Sequence, residues 1–457
     1  MRSTAVVAHL DPSAPDTHGH PRDRGLVRHP ARTHPVKLRG QHIAAGDLLR
    51  HTRSRTYARR VRVADRIDRL LETVGLDERP RSPVRGAHLT ARVGVALGIC
   101  FGICFVTGLL SHWIQHPPGW FWWPTQPSWL YRFTQGLHVT TGVAAIPLLL
   151  VKLGTVYPKL FARPRIGSPV RLLERASITV LVVAAIFQLF TGLLNIAQWY
   201  PWKFFFTTTH YATAWIAIGA ILVHIAVKLP VIRRALGEPL DAPETPPDGS
   251  PAPAPTRPDH VGALTRRTVL RSTWAITGLA AVAVVGQSLP FARWISFLAP
   301  RSGEGPQGLP VNRTAQQANI TDGVRGADYR LTLAVAGRET PLTLDDLRAM
   351  PQTTRELPIA CVEGWSASAT WTGVRLRDLL ARAGHRGGRD TRMVSLDRGL
   401  YGVSVLPANF ADADDTLIAL RLNDEELNLD HGFPCRLIAP NRPGVLQTKW
   451  LSRIEVL

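Results

Sequence analysis

Apolar and polar positions in this chain fall into separate blocks. Five blocks, at roughly 93–113, 133–151, 176–197, 207–229 and 272–292, carry almost no charge and are apolar around the whole helical circumference. Each has the length, about 20 residues, that an α-helix needs to cross a bilayer. Trp and Tyr gather at their ends, as in HWIQHPPGWFWWPTQPSWLY. This pattern predicts five membrane helices rather than buried core helices. From 312 onward it changes to short alternating segments such as YRLTLAVAG (329–337) and TRMVSLDRG (391–399), with one helical stretch, VRLRDLLARAG (374–384). The predicted fold class is multi-domain: an all-α transmembrane bundle of five helices followed by an α+β domain of about 145 residues, enough for one core.

Charge sets the expected topology. The chain has 457 residues, 54 Lys and Arg against 34 Asp and Glu, and a net charge of +20. Its mean hydropathy of +0.01 averages over the charged and uncharged blocks. Arginines crowd the first 90 residues, and Lys159, Arg163, Arg165, Arg171 and Arg175 follow the second block. Arg233, Arg234, Arg257, Arg266 and Arg267 follow the fourth. The alternate loops, 114–131 and 198–206, have few charges and many aromatics. By the positive-inside rule the N-terminus is cytoplasmic, and an odd number of spans exports everything after about 293. The basic loops then lie against anionic membrane lipid, and with no recognition motif beside them a nucleic-acid partner is not expected. The localisation read from this is a cell (inner or plasma) membrane, crossed several times.

The expected domains are a basic, disordered segment 1–85, with one amphipathic helix in VADRIDRLLETVGL (63–76), and a four-helix domain 86–232. A Pro-rich linker follows at 233–265, then the fifth helix with its flank at 266–295 and the exported domain at 312–457.

The first four blocks contain a duplication. TGLL at 107–110 recurs at 191–194, and LHVTTGVAAIPLLLVK (137–152) aligns with THYATAWIAIGAILVH (209–224). A helical hairpin used twice brings its second helices into parallel, related by an axis along the membrane normal. His138 and His210 occupy equivalent positions. Ionisable residues at membrane depth point to function, and two imidazoles facing each other suit a six-coordinate b-type haem. The alternative is a pair of histidines bonded to hydroxyls or carbonyls between helices.

His224 lies 14 residues after His210, about 21 Å further along the same face, a spacing for a second haem. Its repeat partner is Lys152, so a second haem would need another ligand, with His88 the candidate. His112 is a possible outer substitute, and Cys100 and Cys104 read as packing residues. Residues 85–230 resemble the di-haem cytochrome b subunits of the cytochrome b561 and formate dehydrogenase gamma type. That resemblance implies haem b, one site held by His138 and His210 and an uncertain second at His224, with electrons exchanged with membrane quinone or a redox partner.

Before the fifth block stands TRRTVLRSTWAITGLAAVAVVGQ, which resembles a twin-arginine translocation signal. Export of a folded domain is expected where a bulky cofactor must be inserted first.

The exported domain holds two of the four cysteines, and Cys361 follows a strand-like run in ELPIACVEGWSASATWTG. A disulfide with Cys435 is conceivable in an oxidising compartment, as is a thiol nucleophile with His385 or His431. A thiolate metal ligand is the third possibility. The segment resembles the sulfite oxidase-type molybdopterin domain, including the periplasmic sulfoxide reductase catalytic subunits. The resemblance rests on Cys361, on WTGVRLRDLL (371–380), and on a tail with YG (401–402), LNDEEL (422–427), HGFPCRL (431–437) and KWL (449–451). It implies Cys361 as the molybdenum ligand, His431, Arg436 and Lys449 as holders of the pterin and its phosphate, and Tyr401 beside the substrate. The arginine that follows the cysteine in sulfite oxidases is missing from CVEGWS, where Trp365 brings no charge, so sulfite is not the obvious substrate.

The expected function is a membrane-bound molybdopterin-dependent oxidoreductase that transfers oxygen atoms to or from a small sulfoxide- or sulfite-like substrate. Two alternatives stand beside it: a membrane-anchored binding module on a molybdopterin fold, and a molybdoenzyme whose helices carry no haem.

Overall fold

Each expected span is helical in the computed structural model, which describes residues 86–160, 169–243, 265–286, 288–298, 305–325 and 328–457. The predicted helix at 63–76 and most of the Pro-rich linker lie outside the described residues. The helices are α1 (Ala87–Gln115), α2 (Leu130–Leu160), α3 (Pro169–Ile196), α4 (Phe206–Gly237) and α5 (Arg266–Val285). All five are long and apolar enough to cross a membrane. Their apolar residues cover the whole circumference, so large side chains such as Ile99, Val106, Val183, Ile216 and Leu222 remain exposed on the outside of the bundle. In water this surface would be unfavourable; against lipid it is expected.

The hairpins pair as the repeat predicts: α1 packs on α2, α3 on α4, and α1 also meets α4. Helix α5 lies outside this group, against α2. Its first turn is capped by Thr265, whose side chain accepts from the Thr268 amide. It ends at Val285, short of the expected 292, where Gly286 closes the helix and a 3-10 turn follows at Pro290–Ile295. That turn exposes Phe291 and Trp294, side chains suited to a membrane–water boundary.

The C-terminal domain is α+β as predicted. One sheet has the order β2 (Arg338–Leu342), β1 (Leu331–Val335), β10 (Leu451–Val456), β5 (Thr391–Ser395), β6 (Val403–Leu406), with β1 and β10 parallel. The other runs β3 (Thr353–Ala360), β4 (Ser366–Arg375), β7 (Leu417–Leu422), β8 (Glu425–Glu426), and β9 (Arg436–Ile438) also pairs with β7. One apolar core gathers Leu331, Leu376, Leu379, Met393, Leu437 and Ile454, and a second gathers Ile359, Cys361, Trp365, Trp371 and Leu417.

The Trp-Thr-Gly step of β4 has a packing reason. A Cβ on Gly373 would stand 2.1 Å from the Ile418 carbonyl oxygen of β7, at a register shift between the two strands. Domain and bundle meet along the loop between α1 and α2 and the start of α2. Trp123 Nε1 donates to the Asn441 carbonyl at 2.9 Å, and the Tyr131 amide donates to Asn441 Oδ1 at 2.5 Å.

Candidate active site

Strands β3 and β4 form a hairpin, and Cys361 begins the five-residue turn that closes it, Cys361–Trp365. The Cys361 amide donates to the Trp365 carbonyl at 2.9 Å, and the Gly364 amide donates to the Cys361 carbonyl at 3.1 Å. Gly364 adopts φ +91°, a conformation that favours glycine and explains the Gly of CVEGWS. Cys361 is fully buried, and burial, with Glu363 second, pushes its thiol far above the usual range. A thiol so placed ionises only against a compensating cation, which a metal ion supplies.

His431, Arg436 and Lys449 come together, as the sequence implied, around one small cavity of about 10 Å³ that Asn312, Trp365 and Ile359 also line. Asn312 Nδ2 lies 4.0 Å from Cys361 Sγ, which joins the cavity to the cysteine. His431 follows from a short 3-10 turn capped by Asn428, and the left-handed Gly432 after it lets the chain approach Lys449 closely.

The three side chains are held by backbone oxygens. His431 Nε2 donates to the Pro306 carbonyl at 2.7 Å, and Lys449 Nζ donates to the carbonyls of Arg313 and Asp430 at 2.9 and 2.8 Å. Arg436 donates to the His431 and Gln447 carbonyls and stacks over Trp371. Burial pushes Arg436 down to about 9; burial and then the Arg436 charge bring Lys449 to about 7; burial brings His431 to about 4. Tyr401, partly buried, has its phenol raised first by burial and then by Cys361 and Glu363, so it belongs to the same neighbourhood.

The donor set fits an anionic, acceptor-rich group. Arg436 Nε, Trp371 Nε1 and Arg442 Nη1 are buried donors without a hydrogen-bond partner among the described residues, at least one of them in the wall of the cavity. Buried polar groups of this kind are ordinarily satisfied, so a phosphate or pterin bringing acceptors would complete them. Arg442 and Asn312 were missed in the sequence, where nothing in a lone Arg-Pro or Val-Asn pair marks them.

The two remaining readings of the cysteine do not survive. Cys361 and Cys435 are both free. Cys435 sits in the other core against the Tyr329 hydroxyl at 3.2 Å, so the two thiols occupy different packing layers. His431 directs Nε2 to Pro306, and no hydrogen bond joins a histidine to Cys361 among the described residues.

The second group of candidates lies in the bundle. His138 and His210 have ring centroids 6.4 Å apart. His138 Nδ1 meets Thr107 Oγ1 at 3.1 Å, and His210 Nδ1 meets Thr191 Oγ1 at 3.1 Å. Thr107 and Thr191 open the two TGLL copies, so the repeat preserves a hydroxyl–imidazole pair together with the histidines. A Cβ on Gly108 would stand 3.1 Å from His138 Cε1, which is why a glycine follows that threonine. With Nδ1 fixed in each ring, Nε2 is left for a ligand. Metal–imidazole bonds of about 2 Å from two opposed rings put the ring centres about 6 Å apart, as found here. Both histidines line an apolar cavity of about 250 Å³ with Phe105, Gly108, Gly192 and Phe206.

The inner half of the bundle departs from the expected second ligand pair. His88 Nδ1 contacts the Ala235 carbonyl at 3.2 Å and Nε2 lies 3.5 Å from Glu238. Ala235 is 11 residues beyond His224 on α4, about 16 Å along the axis, so His88 does not stand opposite His224. Lys152 Nζ, at the repeat position of His224, donates to the Thr90 carbonyl at 2.8 Å. No three His, Cys, Asp or Glu side chains form a metal cluster among the described residues.

Comparison with known proteins agrees with the C-terminal geometry. Residues 318–457 match the oxidoreductase molybdopterin binding domain family. The chain is 32% identical over 155 residues to the mitochondrial sulfite oxidase of Drosophila melanogaster, covering 28% of this chain and 27% of that protein. It is 34% identical over 162 residues to the NADH nitrate reductase of Volvox carteri, covering 28% of this chain and 19% of that one. Among solved structures, the sulfane dehydrogenase SoxCD from Paracoccus pantotrophus matches at 26% identity over 28% of this chain and 38% of that one, with a TM-score of 0.27. The chain spans under a third of the length of these curated relatives. Over 318–457 the chain is thus similar to the molybdopterin-binding domain of oxidoreductases, sulfite oxidases and nitrate reductases among them.

Proposed function

We propose that the protein is a membrane-bound enzyme that moves an oxygen atom to or from a small extracytoplasmic substrate, sulfoxide- or sulfite-like, and exchanges the electrons with the membrane. The observation that carries this reading is the convergence of Cys361, His431, Arg436 and Lys449 on one buried site in a domain that follows five apolar helices. When bound, molybdenum–molybdopterin supplies two-electron oxygen-atom chemistry and haem b supplies single-electron carriage.

In this reading Cys361 is the thiolate ligand, and His431, Arg436 and Lys449 hold the pterin and its phosphate. Arg436 keeps its charge, while His431 and Lys449, whose charged forms burial disfavours, gain charge when an anion takes up the space between them. Tyr401, 38% exposed, stands where substrate enters and offers a phenol proton to an oxygen being transferred. His138 and His210 would hold one haem, oriented by Thr107 and Thr191, and among the described residues no histidine stands opposite His224 to complete a second. Membrane quinone or a soluble redox partner completes the circuit. The C-terminal domain faces the outside of a cell membrane, delivered by the Arg266–Arg267 flank of α5, and the N-terminus stays in the cytoplasm.

An anchor without haem is the second reading, favoured by Lys152 in the place of a histidine. Protein purified from membranes is assayed with a sulfoxide and reduced viologen dye, and with sulfite and ferricyanide. Turnover of one substrate class in wild type, abolished in Cys361→Ser, is expected; turnover of neither by protein that contains molybdenum would overturn the oxygen-transfer reading.

A further inference from the structure

The turn that carries Cys361 is gripped by the bundle. Gln135 near the start of α2 and Asn195 near the end of α3 are 8% and 7% exposed, and both aim their side-chain amides at the same atom. Gln135 Nε2 donates to the Val362 carbonyl at 3.3 Å, and Asn195 Nδ2 donates to it at 3.1 Å. Tyr200 donates to Asn195 Oδ1 at 2.9 Å, which fixes the amide so that its nitrogen faces Val362.

The next residues of the turn are held too. Gln198 donates to the Glu363 carboxylate, which also accepts from Trp365 Nε1 at 3.1 Å. Gly364 lies against the bundle so closely that a Cβ there would meet Val139 Cγ2 at 3.0 Å and Ile196 Cγ1 at 3.5 Å. Val139 is the residue after His138, and Gln135, Val139, Asn195, Ile196 and Val362 all line the cavity of His138 and His210. One face of the cysteine-bearing turn is therefore a wall of the histidine cavity.

We infer that Gln135 and Asn195 are positioning residues that lock the Cys361 turn onto the bundle as the outer wall of that cavity, so that the group held by Cys361 and the group held by the histidines sense each other. Two buried amide donors on one carbonyl are a costly arrangement to leave unmade, since removing the acceptor would strand both. Their convergence sets the turn in one place relative to His138, and a peptide one residue from the metal ligand becomes the contact. The inference rests on the reading of both sites as cofactor sites, and it adds that they are one mechanical unit.

The test uses full-length protein in detergent with Gln135→Leu/Asn195→Leu, and with each single change as the milder variant. Hydrogen exchange of the 361–366 amides reads the clamp on the polypeptide alone. The molybdenum paramagnetic signal and the b-type absorption spectrum read the coupling. The expected result is at least tenfold faster exchange of 361–366, with both spectra shifted while molybdenum and haem contents stay within about twofold of wild type. In the reciprocal variant, His210→Ala, the molybdenum signal is expected to shift although no residue of the C-terminal domain has changed. Unchanged exchange, or faster exchange with both spectra superimposable on wild type, overturns the inference. Wild-type protein that carries neither group overturns the reading of the two sites instead, and the exchange result then decides the clamp by itself.

Discussion

Thr107 and Thr191, 84 residues apart, make the same contact: each hydroxyl meets Nδ1 of a histidine at 3.1 Å, one at His138 and the other at His210. Each threonine also donates to a carbonyl one turn earlier in its own helix, Ile103 and Phe187, at 2.7 Å. The hydroxyl hydrogen is therefore committed, and the oxygen is available to accept from the imidazole N–H. That assigns the Nδ1–H tautomer to both rings and leaves both Nε2 atoms unprotonated, as the proposed haem site requires.

Thr107→Val and Thr191→Val remove the acceptor and keep the shape. Outer-shell partners of metal-bound imidazoles are typically worth 10- to 100-fold in affinity. Haem retained through dialysis against apomyoglobin is expected to drop by about tenfold in each variant. Retention equal to wild type would mean that the threonines serve helix packing alone.

If His138 and His210 hold a haem as proposed, His210→Ala deletes one of its ligands outright. The b-type band in a reduced-minus-oxidised spectrum is expected to vanish, while His224→Ala leaves it in place because His88 lies level with Ala235 instead of with His224. A band halved by His224→Ala would restore the second haem.

The buried cations predict a pH dependence of stability for protein produced without its cofactor. His431 has its folded value near 4 against 6.5, and Lys449 near 7 against 10.5. Both are depressed bases, so between the two values the unfolded chain holds a proton that the folded domain does not. Stability therefore rises with pH, from 4 to 6.5 through His431 and from 7 to 10.5 through Lys449. Thermal melts at pH 5, 7 and 9 are expected to move upward in that order. Cofactor, an anion between the two groups, should flatten the series. A fall between pH 7 and 9 would contradict the assignment.

Gly373→Ala places a methyl group against the β7 backbone, 2.1 Å from the Ile418 carbonyl oxygen and 2.6 Å from Ala419 Cα, atoms that cannot swing aside as a side chain would. Overpacking of this kind costs about 1–3 kcal/mol. The C-terminal domain is expected to melt earlier, with the membrane helices unaffected; an unchanged melt would show that β4 and β7 separate easily at this point.

Much of this architecture is legible in the chain. The five long helices are apolar on all sides, so their number and approximate ends follow from composition, and the duplicated TGLL and His positions locate the histidine pair before any fold is known. The α5 boundary moved because a hydrophobic count does not register that Gly286 and Pro290 stop a helix. Cys361 is legible through the resemblance of its segment to the molybdopterin domain, since the residues alone left a disulfide, a nucleophile and a metal ligand open, and Gly364 fixes its turn. Gln135, Asn195 and Asn312 are not legible. Their roles come from contacts between residues 49 to 227 positions apart, and an amide in a sequence does not reveal which carbonyl it will meet. The position of His88 beside Ala235, instead of opposite His224, is not legible for the same reason: its depth in the bundle depends on how α1 docks on α4.

The central claim is that Cys361 binds molybdenum in a site built by the C-terminal domain. The most direct measurement is the molybdenum content per polypeptide of wild-type protein and Cys361→Ser, both purified from membranes and shown to be folded. About one molybdenum per chain in wild type, with the signal of thiolate ligation lost in Cys361→Ser, is the predicted result. Folded wild-type protein without molybdenum, or an identical metal environment in Cys361→Ser, would contradict it.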